Sequence, residues 1–274
     1  MESNNPVLTR YETKKGAPGT PGYAYDEGVS AYQQAATGGS GADIDAAFAQ
    51  VTAAGGARLT INDVIVKTFA VFLITVVTAF IGYALAPAMP WVMWVGMIGG
   101  LGLGFANALM RKISPALVLL YGVFQGVFLG GISYLYASLA DGIILQAVVA
   151  TMVTFGVMLT LYLTGVIKVT KKFQSIMIVA LVSYLVLGIG NLIWSMFGGG
   201  DGMGIYGTGF GPIVAVIGVL IAAFFLLLDF EAISQGIKAG VPERESWRMA
   251  FGLLVTLIWL YLEFLRLLSI FSRN

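Results

Sequence analysis

Four ionisable residues interrupt the long apolar stretches near the C-terminus: Asp229, Glu231, Glu263 and Arg266. Asp229 breaks the run FFLLL-DF, and Glu263 breaks LIWLYL-EF. An ionisable group at the centre of a bilayer costs about 2.5–3.5 kcal/mol or more unless it faces protein or water, so neither acid is expected to face lipid. Two carboxyls close together in a dry site cannot easily both ionise; they share a proton, and that titration can serve as a switch. Asp229 and Glu263 are the candidate pair. Glu263 and Arg266 stand three residues apart on one helix face, so a local ion pair is the competing use of Glu263. Glu231, nearer the end of its apolar run, reads as an interfacial residue.

The elements that must position these acids are membrane spans. Of 274 residues, 58% are hydrophobic and 11% charged, against about 25% charged in a typical soluble domain. Mean hydropathy is +0.88. Seven apolar runs approach the ~20 residues a bilayer-crossing helix needs. They are Val64–Ala86, Trp91–Met110, Pro115–Leu139, Ile143–Ile167, Ser175–Phe197, Pro212–Gln235 and Trp247–Phe271. Thr60 with Asp63 forms a capping-box start just before the first. The expected class is an all-α integral membrane protein. Spans one to three and four to six form two triplets of opposite orientation, as in the inverted repeats of transporters.

Residues 1–58, rich in Gly, Ala, Ser, Thr and Tyr, carry no apolar period and predict a disordered cytoplasmic tail with a short helix over Asp43–Thr52. Residues 59–274 form the seven-helix domain. No basic, then apolar, leader opens the sequence, so no cleavable signal is expected. Basic residues collect on alternate connections. Arg58 and Lys67 flank span one, and Arg111 and Lys112 come after span two. Lys168, Lys171 and Lys172 come after span four, and Lys238, Arg244 and Arg248 lie around the start of span seven. The positive-inside rule then predicts a cytoplasmic N-terminus and an external C-terminus; the plasma (inner) membrane is the expected location.

Gly96, Gly100, Gly104 and Ala108 in span two, and Gly122, Gly126 and Gly130 in span three, repeat every fourth residue. Such stripes let backbones approach closely in lipid; lining a narrow pore is the alternative. The Gly-rich segment 198–211 holds one acid, Asp201, lacks the ligands of a calcium loop, and reads as a flexible external loop.

There is no Cys and no His. This excludes disulfides, thiol catalysis, His-based triads and the usual zinc sites, and leaves any pH response to carboxylates. Span seven has no Lys for a retinal Schiff base, and the two acids lack the Gly-rich setting of an aspartyl intramembrane protease. No enzyme activity, no resident cofactor and no nucleic-acid partner is expected; the lipid bilayer is the expected surroundings. Helix rise puts Asp229 and Glu263 about 10 Å apart in depth. They meet only if a helix tilts or breaks, or if PERESW, with Pro242 as a start signal, begins the last helix early.

LLLDFEAI (226–233) and LIWLYLEFLRLLSIF (257–271) resemble the last two spans of the Bax inhibitor-1 family, also called the transmembrane Bax inhibitor motif group. Arg111 in LMRKISP, and its spacing to YGVFQG (121–126), resemble the family's Arg after span two. The resemblance covers about residues 60–274, and the opening looks like an actinobacterial branch. It implies six helices wrapped around the seventh, and a pH-sensitive cation leak with calcium as the ion. Asp229 and Glu263 would be sensor, gate and transient metal ligands, with Arg111 and Arg266 as latch cations. This chain carries Gly100 where bacterial relatives can have a further acid, and Gln125 where some have Glu. Two carboxylates fall short of the ~6–8 oxygens of a tight calcium site, which suits permeation rather than storage. The other function the resemblance allows is a membrane interaction protein that regulates a protease or stress-response complex, with the tail as docking element.

Overall fold

The computed structural model describes residues 57–110, 112–200 and 203–272. The tail before residue 57 and its expected short helix, together with Arg111 and Asp201, lie outside them. Two units separate. In the smaller, residues 57–59 run antiparallel to 240–243. Leu59 N donates to Val241 O at 2.9 Å and Glu243 N to Ala57 O at 2.7 Å, around a bridge between Arg58 and Pro242.

The larger unit contains seven long helices: α1 (Ile61–Leu85), α2 (Trp91–Leu109), α3 (Pro115–Ala137), α4 (Ile143–Leu163), α5 (Lys171–Met196), α6 (Gly211–Lys238) and α7 (Ser246–Phe271). All seven are long and apolar enough to span a membrane. Every expected span is present, with ends shifted by a few residues. α1 starts at the expected cap, where Asp63 N donates to Thr60 Oγ1 and Thr60 N donates to Asp63 Oδ2. α5 begins four residues early because the Thr170 hydroxyl accepts from Phe173 N. α7 does not begin at Pro242: a 3₁₀ turn over Glu243–Glu245 precedes Ser246, so the longer helix that could have drawn Glu263 down to the level of Asp229 does not form.

Each triplet is held by its third member. α3 packs on α1 and α2, and α6 packs on α4 and α5. α7 lies between the triplets. Its Leu254 and Ile258 join Val71, Val118 and Tyr121 of the first. Its Leu253, Leu257 and Leu260 join Ala222, Leu226, Leu227 and Phe230 of the second. The basic end is where α1, α3, α5 and α7 begin. There Lys67 donates to Ser246 Oγ at 2.7 Å, and Arg248 donates to the Met110 carbonyl at 3.3 Å. Arg244 Nε donates to Ile113 O at 3.0 Å. These bonds tie the start of α7 to α1 and to the α2–α3 connection.

The glycine stripes pack. The α3 stripe faces α1: a Cβ at Gly126 or Gly130 would collide with the Thr75 or Ala79 carbonyl. The α2 stripe faces α3: a Cβ at Gly96 would lie 2.6 Å from Phe128 N, and one at Gly100 2.9 Å from the Gln125 side chain. Lipid gives helices no hydrophobic reason to associate, so close van der Waals approach of this kind holds them together.

Substituting Gly130→Val is therefore expected to cost about 1–3 kcal/mol or more by overpacking, read as a lower thermal midpoint in detergent. Gly102→Ala, where nothing lies within 4 Å of the new methyl, should leave the midpoint unchanged.

Candidate functional site

The two acids lie at different levels of one interface. A Cβ on Gly218 of α6 would fall 2.6 Å from Glu263 Oε2, whereas a Cβ on Gly252 of α7 would fall 3.6 Å from Asp229 Oδ1. Gly218 precedes Asp229 by eleven residues, and Gly252 precedes Glu263 by eleven. The helices are antiparallel, so the carboxyls stand about 16 Å apart along the bundle. The candidate pair is therefore not in contact. Helix rise sets the separation, and no tilt, break or early start of α7 removes it.

Glu263 is 1% exposed and fully partnered. Trp259 Nε1, one turn earlier on α7, donates to Oε1 at 3.0 Å. Arg266 Nη1 donates to Oε1 at 2.9 Å and to Oε2 at 2.8 Å. From α5, Tyr184 Oη donates to Oε2 at 2.9 Å. The Arg266 guanidinium lies over the Tyr206 ring, 4.6 Å from its centre, and the Tyr184 and Tyr206 hydroxyls are 3.1 Å apart. The local pair with Arg266 is thus present, and it is the centre of a larger cluster.

Tyr206 belongs to a 3₁₀ turn, Gly204–Gly207, inside the Gly-rich segment. Ile205 N donates to Asn191 Oδ1 of α5 at 2.6 Å, and Gly204 adopts φ 62°, which a side chain would strain. The described part of the segment expected to be a flexible loop is built and pinned. Its anchors, Asn191 inside span five and Tyr206 in the Gly-rich segment, carry no signal in the sequence that links them.

Asp229 is the opposite case. It is partly buried, and its Oδ2 has no hydrogen-bond partner. The Thr256 hydroxyl of α7 lies against the carboxyl. Among the described residues no cation pairs with it; Arg266 pairs with Glu263 and Arg248 with Glu245. Arg111, the other candidate latch, lies outside the described residues. Glu231 accepts from Tyr162 Oη at 2.9 Å and from Gln235 Nε2 at 2.7 Å, two turns from the end of α6.

Three further buried oxygens also lack partners: Thr68 Oγ1 on α1, Asn107 Oδ1 on α2 and Gln125 Oε1 on α3. With Asp229 they lie about 3–15 Å from the basic ends of their helices by residue rise. Buried acceptors of this kind are normally satisfied, so four on four helices, all in one half of the bundle, require an explanation. Nothing in the sequence singles out Thr68 or Asn107. Among the described residues no three acidic side chains come together, so at most two carboxylates meet a cation at one place here.

A family model described as Bax inhibitor 1 like matches residues 5–273. No curated protein matches the chain.

Arg266 has a side chain 31% exposed, and Glu263 one 2% exposed. Arg266→Met strands a buried charge and should destabilise by about 3 kcal/mol, the low end for broken buried pairs. Adding Glu263→Gln should recover most of that loss, because the uncompensated charge is gone. Thermal or denaturant unfolding in detergent measures both.

Proposed function

The chain belongs to the Bax inhibitor 1-like family, a multi-pass membrane protein, and we propose that it is a pH-sensitive cation leak with calcium as the permeant ion. One observation carries the reading: Asp229, on a spanning helix, has no cation beside it among the described residues and one oxygen without a partner. An unpaired carboxyl within the membrane is costly and marks an ion or proton route. Thr68, Asn107 and Gln125 supply further unpartnered oxygens on the same half of the bundle.

The two acids divide the work that a touching pair would share. Asp229 exchanges the proton and offers passing cations a transient oxygen, with the Thr256 hydroxyl across from it. Glu263, tied to Arg266, Tyr184 and Trp259, closes the other half. Asp229 stands in the half of the bundle next to the basic end, which in this reading faces the cytoplasm of a plasma-membrane protein whose N-terminus is cytoplasmic. A single carboxylate and a few neutral oxygens hold calcium weakly, and weak holding is what conduction requires. The absence of His leaves these carboxyls to sense pH.

The test is calcium entry into proteoliposomes carrying the full chain, read with an enclosed dye between pH 6 and 8. Asp229→Asn should cut the flux at least fivefold and flatten its pH dependence. Glu263→Gln should raise flux at every pH by loosening the closure. Wild-type flux and pH response in Asp229→Asn would overturn the reading.

A further inference from the structure

A cavity of about 350 Å³ lies among α1, α3, α4 and α7, on the face of α7 turned away from Asp229. Its size falls within the range of small-molecule pockets, about 300–1,000 Å³. Leu254, Leu257 and Ile258 of α7 and Leu129 and Gly130 of α3 form its floor. α1 and α4 both pack against α7, and the cavity separates them.

Two observations decide what can occupy it. First, the hydroxyls buried in its wall already have partners within the protein, Tyr83 at the exposed rim standing apart from them. Thr75 donates to Val71 O at 2.9 Å, Thr151 to Ala147 O at 2.8 Å and Ser133 to Leu129 O at 2.6 Å. The Tyr261 hydroxyl lies 2.7 Å from Ser133 Oγ. Those groups have no need of water or a polar ligand, and a cavity without such need stays dry and takes apolar guests. Second, the rim faces outward. Phe80 is 73% exposed, Val148 42% and Met152 39%, all on spanning helices, so hydrocarbon is what reaches the opening.

We propose that this cavity is a lipid site that takes one acyl chain of a membrane phospholipid, entering between α1 and α4. The chain lies along Val76 and Ala79 on one side and Val148 and Met152 on the other. Its end meets the floor beneath Ser133 and Tyr261. Occupancy of this site does not depend on ion conduction.

The experiment uses the full chain in vesicles of phosphatidylethanolamine and phosphatidylglycerol. One arm includes a trace of phosphatidylglycerol with a diazirine in one acyl chain; the other includes a diazirine free fatty acid. After illumination, adducts are mapped by mass spectrometry. Thr151 is 2% exposed and Ser133 6%, so lipid outside the cavity cannot label them, whereas Val186 and Leu192 on α5 report bulk lipid. The expected result is phospholipid adducts on α3, α4 and α7 floor residues. Ala79→Trp should lower these at least fivefold, with α5 labelling and the thermal midpoint unchanged. If Ala79→Trp proves unstable, Val148→Trp at the rim should give the same loss. Floor labelling absent, or equal in the filled variant, overturns the proposal. Floor labelling by the free fatty acid alone overturns it as well, because the site then belongs to a different ligand.

Discussion

Hydrocarbon offers no hydrogen-bond partner, and each helix of this bundle is shaped by that constraint. A backbone group satisfies itself within its helix; a polar side chain must find its partner on a neighbour or on its own backbone. Thr75, Thr78, Ser133 and Thr151 meet it within their own helices by donating to a carbonyl one turn back. Glu263 meets it through α5 and two turns of α7 at once. Asp229 Oδ2 does not meet it at all. The same constraint explains the glycines. Apolar surfaces are no better off against each other than against lipid, so α3 gains from its neighbours only by coming so close that no Cβ fits at Gly126 or Gly130.

Much of this was legible in the sequence. Apolar runs marked seven spans, since length and hydropathy are the properties the bilayer selects. The Thr60–Asp63 cap and the glycine stripes were readable because their partners are local or repeat with the helix period. The Glu263–Arg266 pair was readable for the same reason. The distance between Asp229 and Glu263 was nearly readable as well: helix rise separates them, and no distortion closes the gap. The register of α6 against α7 seats Gly252 and Thr256, rather than an acid, opposite Asp229.

The rest depends on residues distant in sequence. Tyr184 and Tyr206 come from α5 and from a turn within a Gly-rich segment, and no periodicity links either to Glu263. The lashings from Arg244 and Arg248 to Ile113 and Met110 end on carbonyls, which carry no sequence signature. In the sequence those arginines signal only topology, yet in the fold they also brace the start of α7.

Among the seven spans, α5 has the least protein to lean on. Met177 alone of its residues is buried, and its extensive helix contact is with α6. Its apolar run, Ser175–Phe197, measures about 34 Å, longer than a hydrocarbon core of about 30 Å. A helix that overshoots the membrane accommodates by tilting, and packing ordinarily fixes the angle. Here packing exerts little hold, so the thickness of the surrounding membrane sets the lean of α5. Tyr184 and Asn191 ride on that helix, which makes the grip on Glu263 and on the 3₁₀ turn sensitive to lipid chain length.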